Sequence, residues 1–188
     1  MTQNFPLHDD DIKVLMDIRR YLIGFRKTNG WSQPVLSQMI NLTDGTAYNL
    51  ESDDKWQWHL SRLQNWTTPF RLRLDAKLCF DVGDGADQDL EDRIHAHPMV
   101  APMFSLSRAS GDWKKWQRVY ITTALQTARE ELEVSVEIMA KYMGLNPRAI
   151  VAMEAMTSDV VLPKALHYAR KLGGRISLSL QPEEFGEQ

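Results

Sequence analysis

The sequence predicts a mainly helical protein built from two copies of one small unit, each ending in a β-strand. Three observations carry this. Apolar residues recur at helical spacing along most of the chain. Two stretches, 70–82 and 176–180, alternate apolar and polar residues instead, the period of a strand with one buried face. The residue pattern of 26–51 also returns at 129–154 without a gap.

In chain order, residues 1–8 read as a loose start. Asp10 or Asp11 is positioned to cap a helix over 12–27, whose Leu15, Ile18, Leu22 and Phe25 share one face. Gly30 falls just past its end, where a left-handed residue is expected. Ser32 then caps a short helix over 32–40, with Pro34 in its first turn, where a missing N–H does no harm. A turn at Asn41–Leu42 leads to a second short helix over 43–51. Leu36, Ile40, Leu42, Ala47 and Leu50 would knit the pair together, with small Ser37 at the closest approach. Asp44, Gly45, Thr46, Tyr48 and Asn49 are left facing outward. This is helix-turn-helix spacing, in which the second helix is offered to a DNA groove.

A fourth helix is expected over 55–66, stopped by Pro69 and followed by the strand over 70–82. Residues 84–111 read as a connector, with a short helix over 88–96 and then a stretch rich in Pro and Ser. Asp112 caps a long helix carrying Trp113, Trp116, Tyr120, Ala124 and Leu132 on one face. A shift of 103 residues then maps Arg26 onto Arg129, Ser32 onto Ser135, Ser37 onto Ala140, Asn41–Leu42 onto Gly144–Leu145, and Glu51 onto Glu154. A helix over 160–172, Gly173–Gly174 and the strand positions Ile176, Leu178 and Leu180 complete the second copy, with about three extra residues expected before its strand. The domain reading is therefore 1–82 for the first module, 83–111 for the connector and 112–188 for the second module. The two strands either pair with each other in a small sheet or leave an edge open to another chain.

Arg26, Gly30, Ser32–Gln33, Leu36, Leu42–Thr43 and Glu51 resemble the helix-turn-helix family of the Cro and lambda-repressor type, also called Xre-like. The second copy is similar through Ala128–Arg129, Leu132, Ser135, Ala140, Gly144–Leu145 and Glu154. Two departures stand out: Asn41 in place of the turn glycine, and Val136 in place of the glutamine. Asn visits positive φ more readily than most residues. Val136 removes a polar contact from the second copy. The tandem arrangement also resembles immunity repressors of temperate actinobacterial phages.

The resemblance implies a transcriptional repressor of double-stranded DNA, with bases met by the start of each second helix and phosphates by helix ends. In the first copy this nominates Asp44, Gly45, Thr46 and Asn49 for bases, and Ser32, Gln33 and Thr43 for phosphates. Asp44 also suits a helix N-terminus as an anion, and as an anion it repels phosphate. In the second copy Pro147, Arg148, Ala149 and Ala152 occupy the base-facing positions, and Ser135 and Asn146 are caps within reach of the backbone. Arg to guanine, Asn to adenine and Ala to a thymine methyl are the pairings this chemistry allows.

Composition narrows the classes. The formal charge is −3, and each module carries ten basic and ten acidic residues, so any attraction for DNA must come from local patches. One cysteine, no leader-like start and no apolar run near the length of a span suit a cytoplasmic protein. There is no phosphate-cradling glycine loop and no catalytic serine or His–Glu helix motif. His95 and His97 lack further ligands at metal spacing. No enzyme activity, cofactor or small-molecule substrate is expected. The expected partner is double-stranded DNA, bound by a monomer with a homodimer as the alternative. The rival reading is an antitoxin-like interaction module that dimerises through its strands.

Overall fold

A computed structural model describes residues 5–41, 46–52, 58–80, 92, 112–155 and 159–183. The expected connector 83–111 lies outside the described residues, apart from Asp92, as do Leu42 to Gly45. The fold is mainly helical with one two-stranded antiparallel sheet. The elements are α1 (Asp9–Thr28), α2 (Gln33–Met39), α3 (Thr46–Glu51), α4 (Leu60–Thr67), a 3₁₀ turn (Thr68–Phe70) and β1 (Leu72–Phe80). After the connector come α5 (Trp113–Glu131), α6 (Val136–Met143), α7 (Pro147–Glu154), α8 (Leu162–Lys171) and β2 (Gly174–Pro182). No described helix is long and apolar enough to cross a membrane.

Local chemistry accounts for the boundaries. α1 starts earlier than expected because His8, not an aspartate, is its cap: the His8 ring accepts from the Asp10 N–H, leaving Asp9, Asp10 and Asp11 in the first turn, where carboxylates suit the helix dipole. Gly30 and Glu133, which are 103 residues apart, both take positive φ after the first helix of each copy. Asn41 and Gly144 do the same at each turn, so Asn41 stands in the glycine's conformation. α4 is shorter than expected, because His59 is held in an isolated bridge to Val161 before the helix begins.

In β1 Leu72, Leu74, Ala76 and Leu78 face inward, while Arg73 and Lys77 face outward. β1 pairs with β2 from Leu72 opposite Pro182 to Phe80 opposite Gly174. The strands thus pair within one chain, and β2 runs longer at both ends than the three alternating leucine and isoleucine positions suggested.

The second tail is not three residues longer than the first. Beyond the helix pair the equivalence shifts from 103 to 102: Trp58 answers to Val160, Leu60 to Leu162, Trp66 to Tyr168, and Leu72 to Gly174. Arg71 and Gly173, the residues before each strand, both have positive φ. α8 continues through the positions that form the 3₁₀ turn in the first copy, and this makes the second helix look longer in sequence.

One hydrophobic core spans both copies. It is assembled crosswise, with α5 packed on β1 and α1 on β2. Asp11 of α1 receives a bidentate pair from Arg170 of α8, at 2.7 and 3.1 Å. At the equivalent place Lys114 of α5 donates to Asn65 Oδ1 of α4 at 3.0 Å, and its carbonyl accepts from Gln64 Nε2. Burial pushes the Lys114 ammonium below its ordinary value, against the pull of Glu183 and Asp112. Leu132, expected on the buried face of α5, is instead exposed, because the helix ends there.

Candidate nucleic-acid interface

Each helix pair is clamped from behind by an ion pair of the same design. In the first copy Arg26 Nε and Nη2 donate to Glu51 Oε1 and Oε2 at 2.5 and 2.7 Å, and Nη1 donates to the Trp31 carbonyl at 2.6 Å. In the second copy Arg129 Nε and Nη2 donate to Glu154 Oε1 and Oε2 at 2.7 and 2.9 Å, and Nη1 donates to the Val134 carbonyl at 3.0 Å. Atom for atom, the bonds are offset by 103 residues. All four charged side chains are buried. The glutamate is the last residue of α3 or α7, so the clamp fixes the far end of each outward-facing helix to the end of α1 or α5. The hydrogen bonds to the carboxylate in the second copy, its burial notwithstanding, push the Arg129 guanidinium above its ordinary value.

Caps fix the starts of α2, α6 and α7. Ser32 Oγ accepts from the Val35 N–H and Ser135 Oγ from the Ile138 N–H, at 3.4 and 3.2 Å. Asn146 Oδ1 accepts from the Ala149 N–H at 2.9 Å. These acceptors are spent on the helices, but the Ser32 hydroxyl and the Asn146 amide keep O–H and N–H groups that can donate to a phosphate, whereas the Ser135 hydroxyl donates to the Glu137 carboxylate. Buried Ser37 Oγ accepts from the Ala47 N–H at 3.2 Å, joining α2 to α3 at their closest approach.

The candidate contact residues divide as follows. On α7, Pro147, Arg148 and Ala152 are exposed, whereas Ala149 is half-buried. On α3, Asn49 is exposed. Thr43, Asp44, Gly45 and the Thr46 side chain lie outside the described residues. Gln33 is half-buried, and its amide donates to Glu51 Oε2 at 2.8 Å, making it part of the clamp. The second copy lacks this donor because Val136 stands there. There Tyr168 supplies a donor instead, but to the other carboxylate oxygen: its hydroxyl donates to Glu154 Oε1 at 2.5 Å. Burial, and then that bond, push the Tyr168 phenol above its ordinary value.

Two outward residues escaped the sequence reading of the contact sets. Tyr48 and Val151, equivalent in the two copies, are 58% and 56% exposed on the faces that carry Asn49 and Ala152. The signal was present: both stand three residues before the clamping glutamate, one position from an assigned contact. Val35 and Ile138, and Met39 and Tyr142, are likewise exposed at equivalent positions on α2 and α6. The approaches to the two modules also differ in charge. Glu137 sits in the first turn of α6, where its own backbone N–H and then the Ser135 hydroxyl hold its carboxyl below the usual carboxylate range. The equivalent residue in the first copy is Pro34.

His95 and His97 fall outside the described residues, and among those described no group of three His, Cys, Asp or Glu stands together as a metal site. Comparison with protein-family models, with curated proteins and with solved structures found no match.

Proposed function

We propose that this protein is a cytoplasmic, sequence-specific double-stranded DNA-binding repressor in which one chain supplies two unlike reading modules. The observation that carries the proposal is the duplicated clamp. Two short helix pairs are each closed by the same buried ion pair, and each presents an exposed face of its second helix to solvent. Rigid presentation of a short helix is what major-groove readout requires. Arg148 reads guanine, Asn49 reads adenine, and Val151 or Ala152 packs on a thymine methyl. Ser32 and Asn146 donate to phosphates, whereas the Ser135 hydroxyl is taken by the Glu137 carboxylate. Repression follows by occlusion of polymerase at the bound site. The equivalent outward residues differ at nearly every position, so the two modules prefer different bases.

Selection from a random duplex library tests this. The expected outcome is enrichment of one asymmetric sequence. Replacing Arg148 or Asn49 by alanine should cost about 1–3 kcal/mol and relax preference at one position. No enriched sequence, or unchanged affinity for both variants, overturns the proposal.

A second reading, a protein-interaction module, draws support from the exposed Val35, Met39 and Tyr48 and their counterparts Ile138, Tyr142 and Val151. The strand-mediated form of that reading is weakened, since β1 and β2 spend one edge each on the other. Light scattering of the free protein separates the two: a monomer fits the DNA reader, and a dimer without DNA fits the interaction module.

A further inference from the structure

The two modules are related by a pseudo-twofold axis, and from this we infer that the DNA site consists of two unlike half-sites in inverted orientation, both read by one chain. The inference rests on the DNA-reading proposal above and adds the arrangement of its target.

The symmetry appears in three independent places. First, the ladder pairs residues whose numbers sum to 254, from Leu72 opposite Pro182 to Phe80 opposite Gly174. Under the 102-residue equivalence, the central pair, Ala76 and Leu178, are each other's counterparts, and every other pair maps onto its mirror about that centre. Antiparallel pairing of equivalent strands about an equivalent pair is produced by a half-turn. A translation would set the strands parallel. Second, the isolated bridge is reciprocal. Leu60 N–H donates to the Val160 carbonyl and Leu162 N–H to the Trp58 carbonyl, both at 2.8 Å, and these are equivalent residues exchanged. Third, the packing is crosswise. Position 11 of α1 reaches α8, and its equivalent, position 114 of α5, reaches α4, although the side chain has changed from Asp to Lys.

Because each clamp ties its outward helix to the same frame, the half-turn that relates the strands also relates α3 to α7. B-form DNA has local twofold axes perpendicular to its own, so modules related in this way meet half-sites of opposite polarity on one face of the duplex, about one helical turn apart. In single-module relatives a dimer's symmetry produces a palindrome. Here Asn49 faces out where the other copy has Ala152, and Tyr48 where it has Val151, so the site is inverted in geometry but not in sequence.

Hydroxyl-radical footprinting of the full chain on a duplex selected from a random library tests the arrangement independently of base identity. The expected protections on one strand mirror those on the other about a single centre, and reversing one half-site in place lowers affinity on the order of 100-fold or more, since several base pairs are mismatched at once. Protections that repeat along the same strand, or a reversed half-site bound within about threefold, overturn the inverted arrangement and leave DNA reading standing. A library that enriches no sequence overturns both.

Discussion

Replacing Arg129 by methionine is the sharpest perturbation of the clamp. The variant loses two charge-assisted bonds to Glu154, at 2.7 and 2.9 Å, and the bond that holds the Val134 carbonyl. It leaves a buried carboxylate that keeps the bond from the Tyr168 hydroxyl. Charge-assisted hydrogen bonds contribute about 1.5–3 kcal/mol each. Stripping one partner from a buried pair costs about 3–5 kcal/mol. The two estimates agree on a loss of about 3–5 kcal/mol, which for a chain of this size lowers the melting temperature by about 6–20 °C. Methionine nearly matches the volume of the arginine stem, so little of that loss comes from a cavity. Urea denaturation followed by circular dichroism measures it. The triple variant Arg129→Met, Glu154→Met, Tyr168→Phe removes the stranded charge and hydroxyl together and should recover to within about 2 kcal/mol of the parent, as buried pairs replaced by apolar residues often do. Arg26→Met should behave like Arg129→Met, because its bonds are the same. A loss under about 1 kcal/mol for Arg129→Met, or a triple variant no better than the single, would refute the clamp as the element that holds α7.

Three further outcomes follow from the same geometry. Tyr168 is held neutral in the fold, whereas an unfolded tyrosine ionises near pH 10, so the unfolded state binds fewer protons above that pH and stability falls as pH rises past about 10. In Tyr168→Phe that part of the alkaline loss disappears, as a melting series from pH 8 to 11 would show, and an unchanged pH dependence would count against it. Gly174→Ala places a Cβ 2.9 Å from the Cys79 carbonyl and 2.9 Å from the Phe80 ring. Since a backbone carbonyl does not move aside cheaply, a loss of about 1–3 kcal/mol is expected in urea, and a neutral result would mean that the end of the ladder is looser than described. Glu137→Gln removes a carboxylate from the α6 N-terminus and should tighten DNA binding at low salt with little change at high salt, a comparison that fluorescence anisotropy makes directly.

How much of this was legible in the sequence depends on the kind of information each feature carries. Among the described residues, the helices and both strands are local, and periodicity with caps at Ser32, Ser135 and Asn146 places them close to where they form. The duplication was legible because the polar markers repeat along with the apolar ones. The role of those markers was not. Arg26 and Glu51 are 25 residues apart, as are Arg129 and Glu154, and only the fold shows that each pair meets with the same atoms. Tyr168 could not be assigned to Glu154 from sequence, because its counterpart is Trp66 and nothing local links it to the missing glutamine at Val136. The strand partner was undetermined for a similar reason: alternation shows that a strand has a buried face but not which edge it pairs with. The single-residue change in register before Trp58 and Val160 hid the symmetry of the tails, and with it the half-turn.

On the proposed function, holding two readers in one chain would turn an association step into a folding step. Leu74, Ala76, Leu178 and Ile176 form a common inner face that neither copy completes alone, and Asp11 and Lys114 tie each first helix to the opposite tail. The strand pairing and the crosswise packing between the copies are thus satisfied within one chain, while the outward helices carry different residues, Asn49 in one and Ala152 in the other.

The most direct test of that account is the mass of the complex formed on the selected duplex, measured by light scattering or native mass spectrometry at increasing protein concentration. One chain per duplex, saturating without a heavier species, is the predicted result. Two chains on one site, bound cooperatively, would contradict a reader whose twofold symmetry lies within a single chain.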